Sequence, residues 1–361
     1  MKKHYLLTPG PALIPEEVTD AMAKPIIHHR TQGYRDIVKT ANENLKKIFK
    51  TENNVLTFTS SGTGAMEASI ANTLSAGDTA IIVRGGKFGE RFAEICESYG
   101  VTAVPLDIEW GTAPDPAKVG RALEENPTAK AVFMQLCETS TATVYDIKAV
   151  AEVVGKTNAI LVVDAISGLG ADEFEMDKWN VDIAIGGSQK AFMLPPGLSF
   201  CAVSKKAWDL IKKSTLPKYY YDFNKYEKLA GKSDSPWTPA ITLVIGLAKA
   251  LSMITEKGVD NFIKSHVSDA EFLRGSVKKL GLELFSKSPS NAVTAIKVPE
   301  GLDGAKLTSS LKTKGVTVAG GQAHLKGKII RIAHMGAITQ KDLEFALGKL
   351  KEALKEQNLK V

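Results

Sequence analysis

Between residues 55 and 205, strand-like and helix-like segments alternate, and this order restricts the fold more than any other feature of the chain. The apolar runs 55–59, 79–83, 101–106 and 131–136 precede helical patterns at 65–74, 88–99, 116–125 and 147–155. Further apolar runs follow at 159–163, 181–185 and 198–203. Such alternation predicts an α/β fold, a largely parallel sheet covered by helices on both faces. Ligands of such sheets sit outside the carboxyl ends of the strands. Beyond residue 210 come an aromatic loop, Pro217-Lys218-Tyr219-Tyr220-Tyr221-Asp222, and an irregular stretch at 233–239. Two long helical patterns at 241–256 and 259–280 are broken at Gly258. The tail reads as strand 292–298, helix 304–314, strands 316–318 and 328–332, and a closing helix 340–356, a small α+β unit. The expected division is an N-terminal segment 1–15, a large domain 16–258 and a small domain 259–361.

A chain of 361 residues with 44% hydrophobic content has room for both units. No apolar run reaches the roughly 18 residues of a membrane helix. The start, Met1-Lys2-Lys3-His4, leads into no apolar stretch of about 7–15 residues, so a signal peptide is not expected. Cys96, Cys137 and Cys201 are far apart and form no CxxC, which argues against a disulfide framework or zinc site and fits a reducing cytoplasm. The net charge of +6 is spread over helical faces without interleaved aromatics, so nucleic-acid binding is not expected.

Five stretches carry chemistry. The first, Thr59-Ser60-Ser61-Gly62-Thr63-Gly64-Ala65-Met66-Glu67, follows a strand and opens a helix. Free N–H groups there make an anion site. The helix dipole contributes only about 0.3–1 kcal/mol per charge, so hydroxyls must add to it. Glu67 stands where a dinucleotide motif needs its third glycine, which favours a single phosphate. The alternative is an ordinary capped turn. The second, Gly85-Gly86-Lys87-Phe88-Gly89-Glu90-Arg91, offers a ring that stacks on a flat heteroaromatic, or simply a core phenylalanine. The third, Cys137-Glu138-Thr139-Ser140-Thr141-Ala142-Thr143, is a hydroxyl-rich turn suited to a phenolic oxygen, or to ordinary turn bonding.

The fourth is the pair Asp164 and Lys190, each just past or at the end of an apolar strand. A carboxylate in such a place is costly unless paired. An acid at one strand end and an amine after a neighbouring strand suit pyridoxal phosphate: the amine forms a Schiff base and the carboxylate holds the ring-nitrogen proton. Desolvation and a nearby cation lower the lysine pKa and free the amine for attack. The fifth is Arg331, inside the apolar strand Ile329-Ile330-Arg331-Ile332, where a guanidinium wants a planar anion such as a substrate carboxylate or a structural partner.

Together these stretches resemble the class V aminotransferases of fold type I, in the alanine–glyoxylate and serine–glyoxylate or serine–pyruvate branch. The resemblance runs from Leu7-Thr8-Pro9-Gly10-Pro11 to Arg331-Ile332. Its most specific parts are Ser61–Glu67, Val163-Asp164-Ala165, and Gly187-Ser188-Gln189-Lys190-Ala191 followed by Pro195-Pro196-Gly197. It implies a mostly parallel seven-stranded sheet with a small C-terminal domain, pyridoxal 5′-phosphate as cofactor, and a homodimer with sites at the subunit interface. By resemblance Lys190 is the cofactor-bearing lysine and Asp164 the pyridinium partner. Ser61, Gly62 and Thr63 form the phosphate cup, with Gln189 a further contact. Phe88 stacks on one ring face, where the family more often has tryptophan, and Ile166 on the other. Thr139 lies near the ring oxygen, and Thr238 reaches the partner subunit's phosphate. Gly10 and Arg331 bind substrate. Thr141-Ala142-Thr143 departs from the family's usual Thr-Gly.

The implied reaction moves an amino group from alanine or serine to glyoxylate or pyruvate, with Lys190 as the acid and base between Cα and the cofactor, in ping-pong order. No second arginine for a side-chain carboxylate is evident, although Arg30 could approach. A desulfurase would need a cysteine in a mobile loop after the lysine, and Cys201 lies in the apolar run 198–203 instead. Another class V enzyme, an aspartate or phosphonate-type aminotransferase or a lyase, stays open. So does, remotely, a non-enzymatic basic binding protein.

Overall fold

The computed structural model describes residues 5–359. The charged start at 1–4, read above as no signal peptide, lies outside them. The central sheet has seven strands, in the order Val55–Ser60, Gly197–Val203, Ile183–Gly187, Ile160–Asp164, Ala131–Gln135, Thr79–Arg84 and Thr102–Asp107. Six strands run the same way. Gly197–Val203 is antiparallel to both of its neighbours.

The three strands Ala131–Gln135, Ile160–Asp164 and Ile183–Gly187 are buried along their whole length. That explains why they read as unbroken apolar runs. Alternate residues feed two cores: Val132, Met134, Leu161 and Val163 face one, Phe133, Ile160, Val162 and Ile185 the other. The edge strand Thr102–Asp107 is mostly half-exposed and carries Pro105, which an edge tolerates because no donor is needed on its open side.

Helix Gly62–Thr73 starts three residues before its apolar pattern, because the glycine turn itself forms the first helical turn. Helix Pro116–Glu125 starts with proline behind an Asp115 cap, as a helix start prefers. The alternation left helices Glu16–Ala23, Gln32–Phe49 and Phe223–Ala230 unread. The longest of these buries Ala41, Asn44, Leu45, Ile48 and Phe49, an i, i+3, i+4 pattern that charged residues on the other face obscure.

Gly258, with φ +86°, separates helices Ile241–Lys257 and Val259–Lys279, as expected. Past it, Val293–Lys297, Ile329–Ala333 and Ala319–Gly320 form a small antiparallel sheet. Helices Val259–Lys279, Gly304–Thr313 and Gln340–Glu356 share a separate core with it. The beginning of the chain joins this unit: Tyr5–Leu6 pairs in parallel with Val316–Thr317, and Leu7 is fully buried there. Pro9 and Gly10 therefore run between the small sheet and the large one.

Candidate active site

The site lies at the carboxyl ends of the central strands, where a parallel sheet leaves its crevice. Asp164 ends its strand between Gln135 and Ile185. It is 4% exposed, and its Oδ1 accepts from Ile166 N at 2.9 Å. No arginine or lysine of the described residues forms an ion pair with it. Burial pushes its pKa up to about 7, with Glu138 adding to the rise and Lys190 opposing it. Lys190 lies three residues beyond Gly187, and its Nζ donates to Pro9 O. Burial lowers its pKa to about 8. Gly10 has φ +138°, and a Cβ there would stand 2.6 Å from Lys190 Nζ, so only glycine lets the N-terminal segment cross this amine.

Ser61 is the N-cap of helix Gly62–Thr73, yet its side chain makes no capping bond. A Cβ on Gly62 would meet Ile166 Cδ1 at 2.3 Å, and one on Gly187 would meet Ile166 Cγ2 at 3.0 Å. Ile166, directly after the Asp164 strand end, thus lies in a groove that two glycines leave open. Thr63 Oγ1 accepts from Arg91 NH1 at 3.2 Å, and that guanidinium stands 4.8 Å from the centre of the half-exposed Phe88 ring. Gln189 Oε1 is buried without a hydrogen-bond partner.

Thr139 is buried and shares a 2.5 Å hydrogen bond with Ser167 Oγ. Its carbonyl accepts from Arg331 NH1 at 2.9 Å, and Gly320 O accepts from Arg331 Nε at 3.0 Å. Arg331 is 6% exposed and has no carboxylate partner among the described residues; burial lowers its pKa. Arg30, by contrast, is committed to Asp234, to whose Oδ1 it donates at 2.7 Å. Thr238 is exposed and makes no hydrogen bond among the described residues, so the chain alone does not bring it to the others. Cys201 is fully buried within strand Gly197–Val203.

Two residues of this cluster were quoted above without a role. Glu138 is fully buried and accepts four hydrogen bonds. Arg91 covers Phe88, and its spacing of three residues along one helix was the available signal. For Glu138 the signal was a carboxylate after a strand with no basic neighbour in its own turn.

The chain matches the family described as aminotransferase class V over residues 4–344. An uncharacterized aminotransferase of Methanocaldococcus jannaschii is 40% identical, across 99% of this chain and 94% of that one. The serine–glyoxylate aminotransferase of Methylorubrum extorquens is 34% identical, across 99% and 93%. The solved aspartate aminotransferase of subgroup IV from Thermus thermophilus superposes with a TM-score of 0.91 at 33% identity, across 98% of this chain and 99% of that chain. With such matches over nearly every residue of a fold-type I scaffold, the chain belongs to the class V aminotransferases.

Proposed function

We propose that this transaminase takes the amino group of a small amino acid, alanine or serine, and passes it to glyoxylate or pyruvate. The enzyme depends on pyridoxal 5′-phosphate, as its family does. The residues present fit that group. Gly10 and Gly62 keep clear the space beside Lys190 and Ile166 that a Cβ would fill. The Ser61 side chain makes no capping bond, which leaves its hydroxyl able to donate to a phosphate. When bound, the cofactor supplies an aldehyde carbon that combines with amines and a protonated ring that takes up electrons.

The following roles are inferred for the chain's own residues. Ser61, Gly62 and Thr63 hold the phosphate with N–H and hydroxyl donors at the helix start, and Gln189 adds a contact. Phe88 and Ile166 bound the two faces of the ring. Asp164 holds the proton at the ring nitrogen. Thr139 faces the ring oxygen. Lys190 Nζ, once free, takes the proton from the substrate Cα and returns it at the C4′ carbon. A pKa near 8 keeps a useful fraction of this amine unprotonated near neutral pH. Arg331 has an N–H left for the substrate carboxylate, and Gly10 lines the same pocket. Residues 16–258 form the cofactor-binding unit and 259–361 the small unit that carries Arg331.

The single observation behind this reading is the buried amine of Lys190 near a buried Asp164 that forms no ion pair among the described residues. The preference for small donors rests on Arg30 being held by Asp234, and the serine–glyoxylate relative agrees with it. An aspartate donor is the second reading, because a solved relative bears that name. Purified protein mixed with pyridoxal phosphate should gain a visible absorption band that Lys190→Ala lacks. Alanine, serine and aspartate are then tested for conversion of that band to the pyridoxamine form, and glyoxylate or pyruvate for its return. Absence of the band in wild type defeats the site assignment. Conversion by aspartate alone overturns the choice of donor.

A further inference from the structure

We propose that Glu138 is a positioning residue of this site: its carboxylate fixes the backbone that presents Phe88, and its turn carries the carbonyl that anchors Arg331. Glu138 Oε2 accepts from Phe88 N at 3.1 Å and Gly89 N at 3.2 Å. Oε1 accepts from Ser140 N at 3.1 Å and Ser140 Oγ at 2.5 Å. Ser140 Oγ in turn accepts from Lys87 N at 3.1 Å. Three consecutive amides that open helix Lys87–Ser98 are thus tied to one turn after the neighbouring strand. Charge-assisted bonds of this kind are stronger than neutral ones, and an anion at a helix start is favoured.

The fit is close on all sides. A Cβ on Gly86 would stand 2.4 Å from Glu138 Cδ and 2.3 Å from Ser140 Oγ, so the glycine admits the carboxylate. Arg91 stands over the Phe88 ring from the next turn. The ring is therefore held through its backbone by Glu138 and through its face by Arg91. The residue after Glu138 gives its carbonyl to Arg331. One buried acid, whose four side-chain hydrogen bonds all come from Phe88, Gly89 and Ser140, thus sets both the stacking ring and the carboxylate anchor. This inference rests on the assignment of Phe88 and Arg331 proposed above.

Glu138→Gln keeps the shape, but its Nε2 cannot accept, so one edge of the cradle is lost. Hydrogen–deuterium exchange on the cofactor-free protein should show the 88–89 amides exchanging about tenfold faster or more, the scale of one charged hydrogen bond. The same variant should bind pyridoxal phosphate about tenfold more weakly, with reduced circular dichroism of the bound ring and a raised KM for the amino donor. If Glu138→Gln fails to fold, Gly86→Ala displaces the carboxylate instead and should give the same changes. Unchanged exchange in both variants overturns the proposal. Faster exchange with wild-type cofactor affinity and dichroism makes Glu138 merely structural and overturns it equally. Wild-type protein that binds no pyridoxal phosphate defeats the site assignment itself, a result distinct from these.

Discussion

Asp164 and Lys190 are each moved toward neutrality by the same burial, and the two shifts act in different pH ranges. The folded-state pKa of Asp164, about 7, lies above its ordinary 3.8. The folded chain therefore holds this proton longer than the unfolded one, and stability falls as pH rises from about 4 to 7. Lys190, at about 8, lies below its ordinary 10.5. Its burial penalty is present below about pH 8 and is relieved as pH rises toward 10.5. The cofactor-free enzyme thus carries both penalties around pH 7–8. Asp164→Asn should stabilise the cofactor-free protein at pH 8 by on the order of 2–4 kcal/mol, since each pKa unit corresponds to about 1.4 kcal/mol. Near pH 4 the gain should vanish, and cofactor affinity should fall at every pH. Urea denaturation at the two pH values checks this, and a variant less stable than wild type at pH 8 contradicts it.

At the scale of elements, the start of helix Gly62–Thr73 and the turn after strand Ile160–Asp164 interlock through Gly62 and Ile166. A Cβ at 2.3 Å from Ile166 Cδ1 cannot be absorbed without moving one of the two. Gly62→Ala should cost about 1–3 kcal/mol of stability, the usual scale of overpacking, and weaken cofactor binding because Ile166 is pushed toward the ring position. Ile166→Val removes the Cδ1 atom, so the double variant should recover most of both losses. A double-mutant cycle on thermal unfolding and cofactor affinity measures the coupling, and strictly additive losses would refute the interlock. The same elements show what the sequence makes legible. Strands buried on both faces appear as apolar runs, and the glycine turn and Lys190 appear as motifs. The reversed direction of Gly197–Val203 does not appear, because a fully buried run reads the same either way. Glu138 is hard to read for a related reason: two of its four hydrogen bonds come from backbone amides 49 and 50 residues away, and their link to Phe88 is announced by no local pattern.

On the whole molecule, a few large apolar side chains are left exposed. Ile26 and Tyr219 are 68% and 71% exposed, and Tyr220 is 39% exposed. Tyr219 and Tyr220 stack on Trp237, next to the exposed Thr238. Contiguous apolar patches left in water mark interfaces. The homodimer expected for this chain would cover them and would bring Thr238 to the other subunit's phosphate site. The protein should therefore run at twice its chain mass in solution. Ile26→Lys combined with Tyr219→Lys should shift it toward monomer and lower cofactor affinity at the same time. Thr238→Ala should leave the dimer intact while weakening cofactor binding by about tenfold, as loss of one hydrogen bond to a charged group does. Light scattering alongside cofactor titration separates the cases. A monomer that binds pyridoxal phosphate as tightly as wild type would mean that each site is complete within one chain.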